Sequence, residues 1–198
     1  MAVTLPTILV AGLGRCGSSL VMQMLSAAGI PTVGTYPDFE DEGEVRLRSD
    51  PGAWSQVAQG RAVKVLDPHL DTPPHGFDYR CIFLTRNPAE QGLSILKLLG
   101  APSDRRSRRA MLADLRLSDA KARQAIIGLV GQYYNLPFES IITDPRGTAE
   151  HLASYLYLHR RRARIDVDDM IDAMAACVRP RDVACLPYML EEELLRNA

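Results

Sequence analysis

The sequence contains no apolar run near the roughly 20 residues that a helix needs to cross a bilayer, so no membrane-spanning segment is expected. Cysteine is scarce: Cys16, Cys81, Cys177 and Cys185 are all there are. Their spacing fits no metal site, and they read as reduced thiols of a cytoplasmic protein, the last three as core packing. Net charge is only −1, which gives no general pull on nucleic acid or on a membrane surface. The N-terminus carries no basic region ahead of its apolar stretch, so a signal peptide is not expected either. Internal repeats and low-complexity segments are also missing. What remains is ordinary: 198 residues, 46% apolar and 24% charged. That is enough chain for one soluble domain, 1–198, with a sizeable core.

The informative stretch is Thr7 to Ser19, followed by the apolar run Leu20 to Leu25. It reads as a buried strand (Ile8 to Ala11), a glycine-rich turn and an amphipathic helix. Gly12, Gly14 and Gly17 let the backbone turn sharply and approach a ligand. Amides at the start of the next helix then face an anion, with the positive end of the helix dipole behind them. Ser18 and Ser19 add hydroxyls, and Arg15 adds a permanent charge. This is a nucleotide-phosphate loop.

Several chemistries use such a loop. Gly12-x-Gly14-x-x-Gly17 fits the dinucleotide fingerprint, which calls for an acid at the end of a second strand about 20 residues on. Asp38 stands there, but Pro31 to Asp38 is cut by proline and glycine and makes a poor strand. Gly12-x-x-x-x-Gly17 satisfies most of a Walker A motif, yet Ser18 occupies the lysine position, which disfavours NTP hydrolysis. A tyrosine-phosphatase loop would need arginine at Met22.

Further along, Asp50-Pro51 reads as a helix start and Gly60 as its close. Strands are expected at 61–66, 78–85 and 138–143. Helices are expected from Pro88 through Leu99, over 103–116, over 118–135, from Asp144-Pro145 to about Leu158, and from Asp166 with a break at Arg179-Pro180. Strands alternating with helices imply an α/β fold with a parallel sheet covered on both faces.

Arg15-Cys-Gly-Ser-Ser19 resembles the Lys/Arg-Ser-Gly-Thr-Thr loop of sulfotransferases that use 3′-phosphoadenosine 5′-phosphosulfate (PAPS). Arg86-Asn-Pro88, with Ser94 eight residues after the arginine, is similar to that family's 3′-phosphate element. Two helical turns separate Asn87 from Ser94, so Arg86 and Ser94 can converge on one anion. Leu136 to Pro145 and Leu152 to Leu158 resemble a third, structural element of the family. The resemblance implies a three-layer sandwich around a central parallel sheet, P-loop-containing and sulfotransferase-like. The nucleotide core would span about 7–158, with a helical extension at 159–198. It implies PAPS as donor and no metal. The expected cofactor-binding residues are Gly14, Arg15, Cys16, Gly17, Ser18, Ser19, Arg86 and Ser94. The acceptor would be a small molecule or a glycan carrying a hydroxyl or amine.

In-line sulfuryl transfer needs alignment, charge neutralisation on the leaving phosphate and a proton acceptor. By resemblance Arg15 stabilises charge. Lys64 and His69 resemble a lysine and histidine that many members carry after the second strand, at a longer spacing than in cytosolic members. Other members use a glutamate after the first helix, where Glu40, Glu42 and Glu44 stand. The Arg-Lys-Gly segment that completes the donor site in the family's cytosolic members is missing; Arg160 to Arg164, or Arg179 and Arg181, could substitute for it, and they suit a solvated charged face equally well. Two other readings stay open: an NAD(P)-binding oxidoreductase and a non-catalytic nucleotide-binding relative.

Overall fold

Thr7–Gly12 (β1) is apolar at consecutive positions because both of its faces are covered, as expected of a strand inside a parallel sheet. Its neighbours are Ala62–Leu66 (β2) and Tyr79–Thr85 (β3), and Tyr134–Pro137 (β4) extends the sheet beyond β3. The computed structural model describes residues 6–40, 47–156 and 167–179. Among these, the four strands form one sheet in the order β2-β1-β3-β4, every pair parallel. Ile8 lies level with Ala62 on one side and Arg80 on the other.

Side chains of successive strand residues point to opposite faces, and this divides the core in two. Ile8, Val10, Ile82 and Leu84 pack with Ser18–Ala27 (α1), Phe138–Thr143 (α5), Pro145–Tyr155 (α6) and Val167–Ala176 (α7). Leu9, Ala11, Val63, Val65 and Phe83 pack with Trp54 of Pro51–Ala58 (α2) and with Leu115, Ala122 and Ile126 of Arg105–Val130 (α4). The remaining helix, Pro88–Leu98 (α3), packs against α4. The result is the expected three-layer sandwich. No helix among the described residues is long and apolar enough to cross a membrane.

Two expectations need correction. The helices expected over 103–116 and 118–135 are one continuous helix, α4. Asp104 caps it by accepting from the Arg106 and Ser107 amides, and Gly131 (φ 71°) ends it. Nothing near Leu117 and Ser118 is a helix breaker. The strand expected over 138–143 is α5 instead, and β4 comes before it. Phe138, Ile141 and Ile142 are spaced as one helical face, and all three are buried. The helix start expected at Asp144-Pro145 is present, with Asp144 accepting from the Gly147 amide, and α6 ends at Tyr155. Pro31 to Asp38 forms no strand: Thr32 makes one isolated bridge to Ala62.

The sheet order places a switch point between β1 and β3, because the chain leaves β2 on one side of β1 and returns on the other. Crevices outside the carboxyl ends of strands at such points are where open α/β sheets bind ligands. The glycine loop sits there.

Candidate functional site

The chain turns from β1 into α1 through Leu13 to Gly17. Arg15 (φ 66°) and Gly17 (φ 99°) both hold left-handed backbone. Gly17 is required on two counts, since a Cβ there would also lie 2.5 Å from the Phe138 ring. No side chain caps α1, so its first amides face the crevice without a competing oxygen from the cap residue. Cys16 turns its side chain into the core and is fully buried, so its backbone is what it offers a ligand. Ser18 and Ser19 are also buried.

The cation that the loop lacks at Ser18 arrives from β2. The Lys64 side chain is 1% exposed. Its ammonium donates to Ser19 Oγ (2.7 Å), to the Asp38 carbonyl (2.8 Å) and to Glu40 Oε1 (2.6 Å). A buried ammonium persists only with such partners. Asp38 therefore contributes its backbone carbonyl here and stands at no strand end.

A second cluster forms where β3 ends. Arg86 is buried, lies 4.6 Å over the Phe138 ring and donates from Nη1 to the Arg15 carbonyl (3.1 Å). Arg15 Nε donates to Ser94 Oγ (3.1 Å) on α3. Gln91, which sequence reasoning missed, donates to the Gly14 carbonyl (2.8 Å) and helps to fix the loop. Asn87 caps α3 by accepting from the Ala89 amide, and its own amide donates to Glu139 Oε1 (2.6 Å). The structure thus brings Arg15, Arg86 and Ser94 together from three elements.

Beside the loop opens a cleft of about 520 Å³. Gly14, Arg15, Ser18, Ser19, Lys64 and Glu40 form its polar wall, while Ile95, Leu98, Met111 and Leu115 of α3 and α4 form an apolar one. His69 is not in the wall; its Nδ1 is buried without a hydrogen-bond partner. Glu42 and Glu44 lie outside the described residues, as do Arg160 to Arg164 and Arg181. Arg179 lines a separate hollow between α1 and α7, and Arg105, Arg108 and Arg109 line a groove between α3 and α4.

Asp67 also stands in the polar wall. Burial raises its pKa above the ordinary carboxylate value, more than a hydrogen bond from the Gly14 amide and the charges of His69 and Arg48 lower it. The sequence reads Asp67 as a turn residue. The available signal was an acid directly after a strand, at the sheet edge where ligands bind.

No family model matches the sequence, and no curated protein matches it. Solved structures do match. One is a retinol dehydratase in complex with androsterone and the inactive cofactor PAP, similar over 96% of this chain and 77% of its own, with a TM-score of 0.53 at 13% identity. The chain has the sulfotransferase fold. A sulfotransferase domain from the curacin biosynthetic pathway is also similar, over 98% of this chain and 90% of its own, at 15% identity and a TM-score of 0.48. At such identities the likeness is one of fold.

Proposed function

We propose that this sulfotransferase-fold protein moves a sulfuryl group from PAPS to a hydroxyl or amine of a small-molecule or glycan-type acceptor, in the cytoplasm. One observation carries the reading: beside the glycine loop stands a second cluster, Arg86 at the end of β3 and Ser94 on α3, each joined to the loop through Arg15. A nucleotide phosphorylated on both its 5′ and 3′ sides needs two anion grips. Neither an NTP nor NAD calls for a second one of this kind.

The donor set fits such a ligand. The loop from Gly12 to Ser19 contains no acid, and uncapped amides, two hydroxyls, Lys64 and Arg15 surround it. When bound, PAPS supplies the activated sulfuryl group and a phosphate leaving group. Gly14 to Ser19 hold the 5′ side through amides and hydroxyls. Arg15 and Lys64 neutralise charge that grows on the leaving oxygen. Arg86 and Ser94 select for the 3′-phosphate. Arginine cannot take a proton at neutral pH, so the acceptor's proton goes to another group of the site.

Thermal unfolding with adenosine 3′,5′-bisphosphate, beside ATP, NAD and NADP, tests the reading. Ligand at 100 times its dissociation constant adds about 2.7 kcal/mol, and the bisphosphate alone is expected to stabilise. Stabilisation by NAD or NADP instead would replace the reading with that of a dinucleotide-binding oxidoreductase. Tight bisphosphate binding with no sulfated product over a broad acceptor panel would make the protein a non-catalytic relative.

A further inference from the structure

We propose that Asp67 is the residue that accepts the acceptor's proton; the proposal rests on the sulfotransferase reading above. Asp67 follows β2 directly and is held by its backbone. Its φ is 48°, a left-handed conformation that a non-glycine residue rarely adopts. Its amide donates to the Gly12 carbonyl (2.9 Å), and its carbonyl accepts from the Leu70 amide (2.7 Å). The bond to Gly12 ties it to the start of the loop that would hold the transferring group. Strain kept in place by such contacts is characteristic of functional positions.

Glu42 and Glu44 lie outside the described residues, Asp114 of the cleft wall is exposed on α4, and the remaining two candidates are engaged or displaced. The Glu40 carboxylate lies 2.6 Å from the Lys64 ammonium and serves that ion pair. His69 stands outside the cleft wall. Groups facing Asp67 are His69, Arg48 and Asp71, with the Gly14 amide. Burial outweighs them and holds the Asp67 proton more tightly than in an ordinary aspartate, in the direction that improves a base working near neutral pH.

The step balances. The acceptor oxygen forms a bond to sulfur as the bond from sulfur to the leaving phosphate oxygen breaks. That oxygen keeps the electron pair. The acceptor's proton passes to the Asp67 carboxylate and from there to water.

The cleft that Asp67 lines also carries Ile95, Leu98, Met111 and Leu115, which suits aromatic acceptors, so the test compares 2-phenylethanol with 4-nitrophenol. The nitrophenol is already largely ionised at mildly alkaline pH, and the alcohol is not. Asp67→Asn is expected to bind adenosine 3′,5′-bisphosphate like the native protein and to keep most of its transfer to 4-nitrophenol. Its kcat for 2-phenylethanol should fall roughly 100-fold or more, the range of general base catalysis. Equal losses on both acceptors, no loss on either, or the selective loss appearing in Glu40→Gln instead would overturn the proposal. If Asp67→Asn fails to fold, Asp67→Glu keeps a carboxylate. Its pH–rate profile with 2-phenylethanol should then move relative to native, and an unmoved profile overturns the proposal. A native protein that binds the bisphosphate but transfers to neither acceptor also overturns it. One that binds no bisphosphate removes the sulfotransferase reading itself.

Discussion

Lys64 and Asp67 stand on the same wall, and each is expected to affect stability in its own way. Lys64→Met keeps the aliphatic stem but leaves Ser19 Oγ and the Asp38 carbonyl without their donor. The cost should be about 1–3 kcal/mol by urea unfolding. Glu40→Gln should cost much less, because half of the Glu40 side chain already faces water. For Asp67 the sign reverses. Its folded-state pKa is raised, so as pH rises the unfolded chain gives up the proton first, and the native state is penalised above that point. Asp67→Asn should therefore raise the unfolding midpoint at pH 7, and the gain should vanish in acid below the ordinary carboxylate range. A gain that persists there would show that the carboxylate is not its source. Arg15, Arg86 and Ser94 could be picked out from sequence because each sits in a short motif with a fixed spacing, and Lys64 because it lies in the second strand. Asp67 carries a weaker signal, an acid directly after a strand, and its role also depends on β2 lying beside β1, a pairing of Gly12 with Leu66 that no local pattern contains.

At the scale of elements, α5 links fold to site. Phe138 is buried under the Arg86 guanidinium and against Gly17. Phe138→Ala should cost about 3–5 kcal/mol and should also weaken nucleotide binding by loosening Arg86. A stability loss with unchanged bisphosphate affinity would separate the two roles. Gly17→Ala forces a Cβ into both a left-handed backbone and the Phe138 ring, so a loss of about 1–3 kcal/mol is expected from the backbone alone. Helices that begin at Asp50-Pro51, Asn87-Pro88 and Asp144-Pro145 were readable because cap and proline mark them locally. The segment 138–143 was not. Its Phe, Ile and Thr content suits a strand, but burying Phe138, Ile141 and Ile142 together requires a helical period, and tertiary packing decides between the two.

At the scale of the whole molecule, the sheet order sets where ligands act. Arg86→Ala should weaken binding of adenosine 3′,5′-bisphosphate by about 2–5 kcal/mol and of adenosine 5′-phosphate much less, as read by calorimetry. Equal losses for both would remove Arg86 from the 3′-phosphate role. The parallel α/β architecture was readable because strands and helices alternate along the chain, whereas the order β2-β1-β3-β4 was not, since it rests on contacts between distant segments.

That order also bears on how the chain is made. β1 is synthesised first of the four strands, yet both its partners come later: Ile8 waits for Ala62 on one edge and for Arg80 on the other. An apolar ribbon with two unpaired edges therefore emerges from the ribosome well before anything can cover it. Non-local parallel pairing of this kind forms slowly and leaves such segments open to aggregation meanwhile. Recombinant yield should consequently respond more to slower synthesis or added chaperone than native-state stability would suggest.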